Sequence, residues 1–242
     1  IMECLAKLPD TNDQPLYHLH AAALDTKLNG LPHSRPRWYC VGIRKDCVPS
    51  KKSTFEFPST MTQCPSIELF LDAPNQQSSA QHHPLDKRAS ENLSKAKELI
   101  RSNNGDVDSE CYIVDVDAPW KRPSFRKDAS PCITASRKYG YWITNHQRRL
   151  SLQERLRLQG INPDQFQFHG FEEQVVSEQI GNSMSVNVLE RLIPRILAAA
   201  GLQPAKYLDR WTNGVAFEEL KTGAICPDSI SCLLYTSPSP RD

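Results

Sequence analysis

The apolar run Trp38-Tyr39-Cys40-Val41-Gly42-Ile43 predicts a short strand, and its nearly unbroken character predicts burial on both faces, as in an α/β sheet. Just upstream, Asn29-Gly30 marks a turn while Pro32 and Pro36 forbid helix. Residues 16–44 therefore read as a helix or extended lead-in, a turn and that strand. From Arg44 to about Ser130 the pattern becomes polar and irregular, and Ala73 to Pro84 has the composition of an exposed loop. Within this region Leu93, Ala96 and Ile100 recur at helical spacing over residues 90–100, and Cys111 to Val116 alternates like a strand. The result is a second, small, loop-rich unit. Ser151-Leu152-Gln153-Glu154 then has the form of a capping box, and Gly160 stands where a helix ends in a left-handed residue, which predicts a helix over 152–159. Arg155 and Arg157 lie about 200° apart on it, so they cannot share one face and at least one is structural. A last helix over 186–200 carries Leu189, Ile193 and Leu197 on one stripe and Val188, Leu192 and Ile196 on the next, a wide apolar face for packing on a sheet. Pro194 inside it costs about 3 kcal/mol or kinks it. After Gly201 the Pro- and Gly-punctuated tail shows no pattern.

Composition narrows the class. The chain has 242 residues, 39% apolar and 24% charged, which is the balance of a globular core rather than a disordered or fibrous chain. No run of about 18 apolar residues predicts a membrane span, and Ile1-Met2-Glu3-Cys4 lacks the basic-then-apolar pattern of a secretory leader. The eight cysteines (4, 40, 47, 64, 111, 132, 226, 232) form no Cys-x-x-Cys pair and read as reduced intracellular thiols, with Cys40 and Cys132 as core residues. His82-His83 and these cysteines supply no ligand quartet, so no metal is expected. The opening Ile1 implies upstream residues. The last eleven, from Cys232 to Asp242, resemble a translated sequencing-library adapter and are set aside from the fold.

The net charge of +1 becomes informative once divided along the chain. Between Trp120 and Gly160 stand ten Lys or Arg (121, 122, 126, 127, 137, 138, 148, 149, 155, 157) against Asp128 and Glu154, a local +8 that leaves −7 for the rest. With Trp120, Phe125, Tyr139, Tyr141 and Trp142 interleaved, this stretch reads either as a surface that meets phosphates and bases or as a solvated basic face.

Three segments, in order, resemble the cytosine-5 DNA methyltransferases. Gly30-Leu31-Pro32-His33-Ser34-Arg35-Pro36-Arg37 is similar to that family's Gly-x-Pro-Gln-x-Arg-x-Arg, with His33 where glutamine is usual. Arg149 to Gly160 (RLSLQERLRLQG) is close to its Arg-x-Leu-Thr-x-x-Glu-x-x-Arg-Leu-Gln-Gly, and Gln179 to Val188 (QIGNSMSVNV) to its Gln-x-Gly-Asn-Ser-Val-x-x-x-Val. Ser130-Pro131-Cys132-Ile133-Thr134-Ala135 resembles the segment returning from the family's variable target-recognition domain. The resemblance covers about residues 17–200. It implies an α/β fold with part of a Rossmann-like, S-adenosylmethionine-dependent sheet plus a small loop-rich recognition domain. Its parts are the end of the catalytic domain at 1–44, the recognition domain at 45–147, and at 148–200 a recognition-domain helix and a helix returning to the catalytic domain. A tail follows at 201–231.

The resemblance further implies that a cytosine is flipped from the duplex, a Cys thiolate attacks its C6, and C5 takes a methyl from S-adenosylmethionine. Arg37 would hydrogen-bond the flipped base, with Arg35 helping to order the catalytic thiol and the DNA, a task suited to a rigid, permanently charged fork. Asn182 and Ser183 would wall the cofactor pocket, and either could also cap the helix that starts at Val186. Arg148, Arg149, Arg126 and Lys127 are the expected nucleic-acid contacts, while Glu154 and Arg157 are assigned to structure. The family's Pro-Cys-Gln, Glu-Asn-Val and Phe-x-Gly-x-Gly motifs, which precede residue 1 in its order, are not in the chain. The chain is therefore expected to be a C-terminal portion, inactive alone, whose partners are duplex DNA and its own upstream half, in the nucleus. Two alternatives remain open: a tRNA methyltransferase of the same fold, and a non-catalytic DNA-recognition module.

Overall fold

A computed structural model of the chain describes residues 2–10, 13–48, 54–73, 84–119, 123–166, 168, 170–203 and 207–222. A short helix α1 (Met2–Ala6) precedes β1 (Tyr17–Asp25), so the lead-in is extended rather than helical. β1 pairs antiparallel with β2 (Pro36–Arg44) in a register from Tyr17 opposite Arg44 to Asp25 opposite Pro36. The apolar run of β2 is buried on one face only. Tyr39, Val41 and Ile43 are buried, Trp38 is 53% exposed, and Gly42 and Arg44 are exposed. The covering elements explain this: the final long helix packs on the Tyr39 face together with Phe55, and the short α1 contacts β1. The strands are joined through a 3-10 turn at Lys27–Asn29 that ends at Gly30, whose φ of 102° demands glycine.

In the polar middle region a helix packs on a small sheet. α2 (Lys87–Ser102), capped by the Asp86 carboxylate on the Ala89 amide, lays Ala89, Leu93 and Ala96 against Val114 and Val116. Buried Asn92 fastens it by donating to the Val116 and Ala118 carbonyls. β3 (Tyr112–Asp115), β4 (Ser124–Lys127), β5 (Trp142–Ile143) and β6 (Arg148–Arg149) form a sheet in the order β4-β3-β5-β6, each neighbouring pair antiparallel. The strand foreseen at 111–116 is buried on both sides, because Tyr112 and Val114 face α2 while Ile113 joins the main core. The loop foreseen at 73–84 falls almost wholly outside the described residues.

The main core joins this unit to the C-terminal helices. α3 (Leu152–Leu158) begins with the foreseen capping box: Ser151 Oγ accepts from the Glu154 amide and Glu154 accepts from the Ser151 amide. α4 (Glu173–Asn182) had no counterpart in the sequence reading. α5 (Val186–Ala199) runs unbroken through Pro194, with Val188, Leu192 and Ala199 buried on the hairpin and Ile193 left 45% exposed. The tail, patternless in sequence, is structural. α6 (Val215–Thr222) and the preceding turn place Trp211, Ala216 and Leu220 in the same core as Ile113, Ile143, Leu158 and Ile180. The architecture is mixed α/β, and every pairing among the described strands is antiparallel.

Candidate functional site

The two arginines of the 30–37 segment stand at the entry to β2, where Asp25 Oδ1, at the end of β1, accepts the Arg35 amide at 2.8 Å. Beside them the chain returning from the small unit makes a one-residue parallel bridge, His33 with Ser130, in which the Ser34 amide donates to Ser130 O and the Ser130 amide to Pro32 O. This bridge brings Cys132 and Ile133 alongside Arg35. The Arg35 guanidinium, only 5% exposed, donates to Ile133 O at 2.5 Å, Gly181 O at 3.0 Å, Ser183 O at 2.8 Å and Cys132 Sγ at 3.5 Å. One guanidinium thus ties β2, the return segment and the end of α4. Its burial pulls its pKa below the ordinary arginine value, and the adjacent Cys132 opposes that shift.

Arg37 is exposed and donates to Pro36 O at 2.8 Å and to Cys132 Sγ at 3.5 Å, so the Cys132 sulfur lies between two guanidiniums. Cys132 is half-buried and polar in its surroundings, not the core thiol foreseen, because the bridge at Ser130 turns it toward the arginines. The Tyr141 hydroxyl fixes its carbonyl at 2.5 Å. Cys40 is also half-buried, with its sulfur 3.3 Å from Met2 Sδ.

Asn182 ends α4 with its side chain exposed, and Ser183 is the C-cap of that helix, its hydroxyl donating to Ile180 O at 2.8 Å. Neither caps α5, whose N-cap is Ser185. The start of α5 is held instead by a buried polar chain that the sequence reading missed. Thr26 Oγ1 donates to Ser185 Oγ, Ser185 Oγ to Gln159 Oε1, and Gln159 Nε2 to Ile180 O, while Asn187 donates to the Thr26 and Asn29 carbonyls. Gly181 was missed as well. A Cβ there would fall 2.1 Å from Ala135 N and 2.4 Å from Thr134 C, so only glycine lets α4 approach the return segment. His33 did carry a signal, as the departure from glutamine within a recognisable pattern.

The basic stretch is largely neutralised by acids, most of them outside it in sequence. Arg148, expected at phosphates, makes paired hydrogen bonds to Glu154 at 2.6 and 2.8 Å, and Arg149 does so to Asp117 at 2.8 and 2.9 Å. Both are turned inward by these carboxylates. Arg137 pairs with Asp115 and Arg157 with Asp72. Arg155, 1% exposed, donates to Ser151 O, Lys138 O, Ser177 Oγ and Glu173, and its burial lowers its pKa to about 10. Arg126 and Lys127 on β4 stay exposed, Lys127 beside Glu110 at 2.5 Å. Lys121 and Arg122 lie outside the described residues.

Among the described residues no group of three His, Cys, Asp or Glu is placed to hold a metal, and no helix is long and apolar enough to cross a membrane. A cavity of about 580 Å³ opens between residues 59–65 and 211–217 and is lined by none of the Arg35 cluster. Compared with known proteins, residues 3–198 match the family model of the C-5 cytosine-specific DNA methylase. No curated protein matches the chain. Among solved structures, the Entamoeba histolytica methyltransferase EhMeth aligns with a TM-score of 0.48 and 16% identity over 75% of this chain and 54% of its own, so the chain spans about half the length of that structure.

Proposed function

The chain belongs to the C-5 cytosine-specific DNA methylase family, and from that premise we propose that it is the recognition-bearing C-terminal portion of an enzyme that methylates C5 of a cytosine flipped out of duplex DNA. The observation that carries this reading is the convergence on Arg35 of residues 35, 132–133 and 181–183, three motif segments that are far apart in the chain. Arg35, buried and held through both terminal nitrogens by four acceptors, serves as the fixed anchor. Arg37, exposed and with two of its five donors engaged, keeps donors free for a base brought to the surface of the cluster. The attacking thiolate comes from the upstream half of the enzyme.

S-adenosylmethionine is the methyl donor of this reading, and when bound it supplies an electrophilic methyl group. The residues present fit it in part. Asn182 offers an exposed amide, and Ser183, whose hydroxyl proton is used on Ile180 O, keeps lone pairs to accept from a ligand amine or hydroxyl. The DNA backbone would meet Arg126 and Lys127, the exposed cations of β4, more readily than the partly buried, paired Arg148 and Arg149.

Transfer of a radiolabelled methyl group tests it, with duplex DNA and tRNA as alternative acceptors. The chain alone is expected to transfer none, and the chain joined to an upstream segment bearing Pro-Cys-Gln is expected to methylate duplex DNA. R37A in that enzyme should lower kcat by about 10²-fold or more. Activity from the chain alone, or a preference for tRNA, overturns the proposal.

A further inference from the structure

Two of the acceptors on Arg35, Cys132 Sγ and Ile133 O, belong to the segment that returns from the small unit, and beside the Ser130 bridge and the Tyr141 hydroxyl a third group, His33, holds that segment. The imidazole is wholly buried. Its Nε2 accepts the Ile133 amide at 3.0 Å, and its Nδ1 stands 3.1 Å from the carbonyl of Leu158, the last residue of α3. Leu158 O is only an acceptor and the Ile133 amide only a donor. The ring is therefore the neutral Nδ1–H tautomer, donating at one end and accepting at the other. It forms a strut between α3 and the return segment, two residues before Arg35.

We infer that His33 is a positioning residue for Arg35: it fixes the Cys132-Ile133 peptide against the end of α3, so that the recognition unit and the guanidinium are seated as one piece. The inference rests on the function proposed above, because Arg35 must be part of the reacting site for its seating to affect the rate. Glutamine, the residue usual in the family, has one donor and one acceptor on a single arm and can make both contacts. Leucine has the volume and makes neither. Asparagine is too short to span both.

The test compares wild type, H33Q, H33N and H33L in the enzyme formed by this chain with its upstream half, each assayed well below its own melting temperature. Two quantities are followed: kcat and KM for duplex DNA, and the rate at which Cys132 is alkylated, read from its peptide by mass spectrometry. H33Q is expected to keep the wild-type values. H33L and H33N are expected to lose kcat by about 10²-fold, as for a reacting group displaced by about 1 Å, with KM for DNA unchanged and Cys132 alkylated faster. If H33L does not fold, H33N against H33Q carries the comparison. Folded H33N or H33L with wild-type kcat and alkylation, or H33Q as impaired as H33N, overturns the inference. A wild-type enzyme that methylates no DNA overturns the function proposed above, and the alkylation rates then still decide whether His33 holds the return segment.

Discussion

A second proton on His33 would turn the Nε2 acceptor into a donor facing the Ile133 amide, inside a pocket closed to water. Burial above all, and then the charge of Arg35, hold its pKa down to about 3 from 6.5. The unfolded chain takes up that proton as the pH falls below about 6.5 and the folded chain does not. Stability linked to His33 is thus fully present above that pH and is lost progressively on acidification toward 3, at up to about 1.4 kcal/mol per pH unit. Glutamine does not titrate. Urea unfolding of wild type and H33Q at pH 7, 6, 5 and 4 should show the wild type losing stability more steeply, and parallel curves would contradict the buried neutral ring. At this scale the sequence exposed the position but not its work. His33 was visible as an unusual residue in a pattern, whereas its partners, Ile133 and Leu158, are about a hundred residues away.

Among the elements, the start of α3 was legible to the residue because a capping box is a local device: Ser151 and Glu154 satisfy amides within one turn. α5 was legible from its apolar period. α4 was not, since Val176 and Ile180 are its only large buried apolar positions and Gly181-Asn182-Ser183 reads as a break. The arginines misled for a related reason. A charge counted in a window cannot include Asp72, Asp115, Asp117 or Glu173, which approach only in the fold. Glu154 also does more than cap. It is fully buried and accepts from the Asp72 amide and from Arg148, so E154Q leaves a half-buried guanidinium without its counter-charge. The expected loss is about 3–5 kcal/mol, measured by chemical denaturation. A loss under about 1 kcal/mol would place the pair with ordinary surface ion pairs. G181A tests the contact between α4 and the return segment by its sign. Helix propensity alone favours alanine by about 1 kcal/mol. The backbone atoms of Thr134 and Ala135 nearer than 3 Å to the added Cβ should reverse that, for a net loss of about 1–3 kcal/mol.

At the scale of the whole molecule, one core runs from Leu31 through Ile113, Ile143 and Leu158 to Ile180 and on to Trp211 and Leu220. The family match stops at residue 198, yet the chain beyond it closes this core. Trp211 is 2% exposed, meets Phe217 edge-on with ring centres 5.4 Å apart, and donates from its indole to Glu190 on α5 at 2.7 Å. Asp209 pairs with the buried Arg191 at 2.9 Å, so the tail is latched to α5 by an ion pair as well as by packing. Val176 and Ile180 of α4 pack in that same core, and Ile180 directly precedes Gly181, whose carbonyl holds Arg35. Loosening the tail should therefore be felt at the arginine cluster. W211A is expected to cost about 3–5 kcal/mol, the usual range for deleting a buried tryptophan side chain. W211F keeps most of the packing and should cost about 1–3 kcal/mol for the hydrogen bond lost to Glu190. Denaturation midpoints give these values, and amide hydrogen exchange at Ile133 and Ser183 reads the coupling. Faster exchange in W211A than in W211F at both amides is the expected result. Wild-type exchange there in a W211A protein of lowered stability would mean that the tail braces the core without reaching the site.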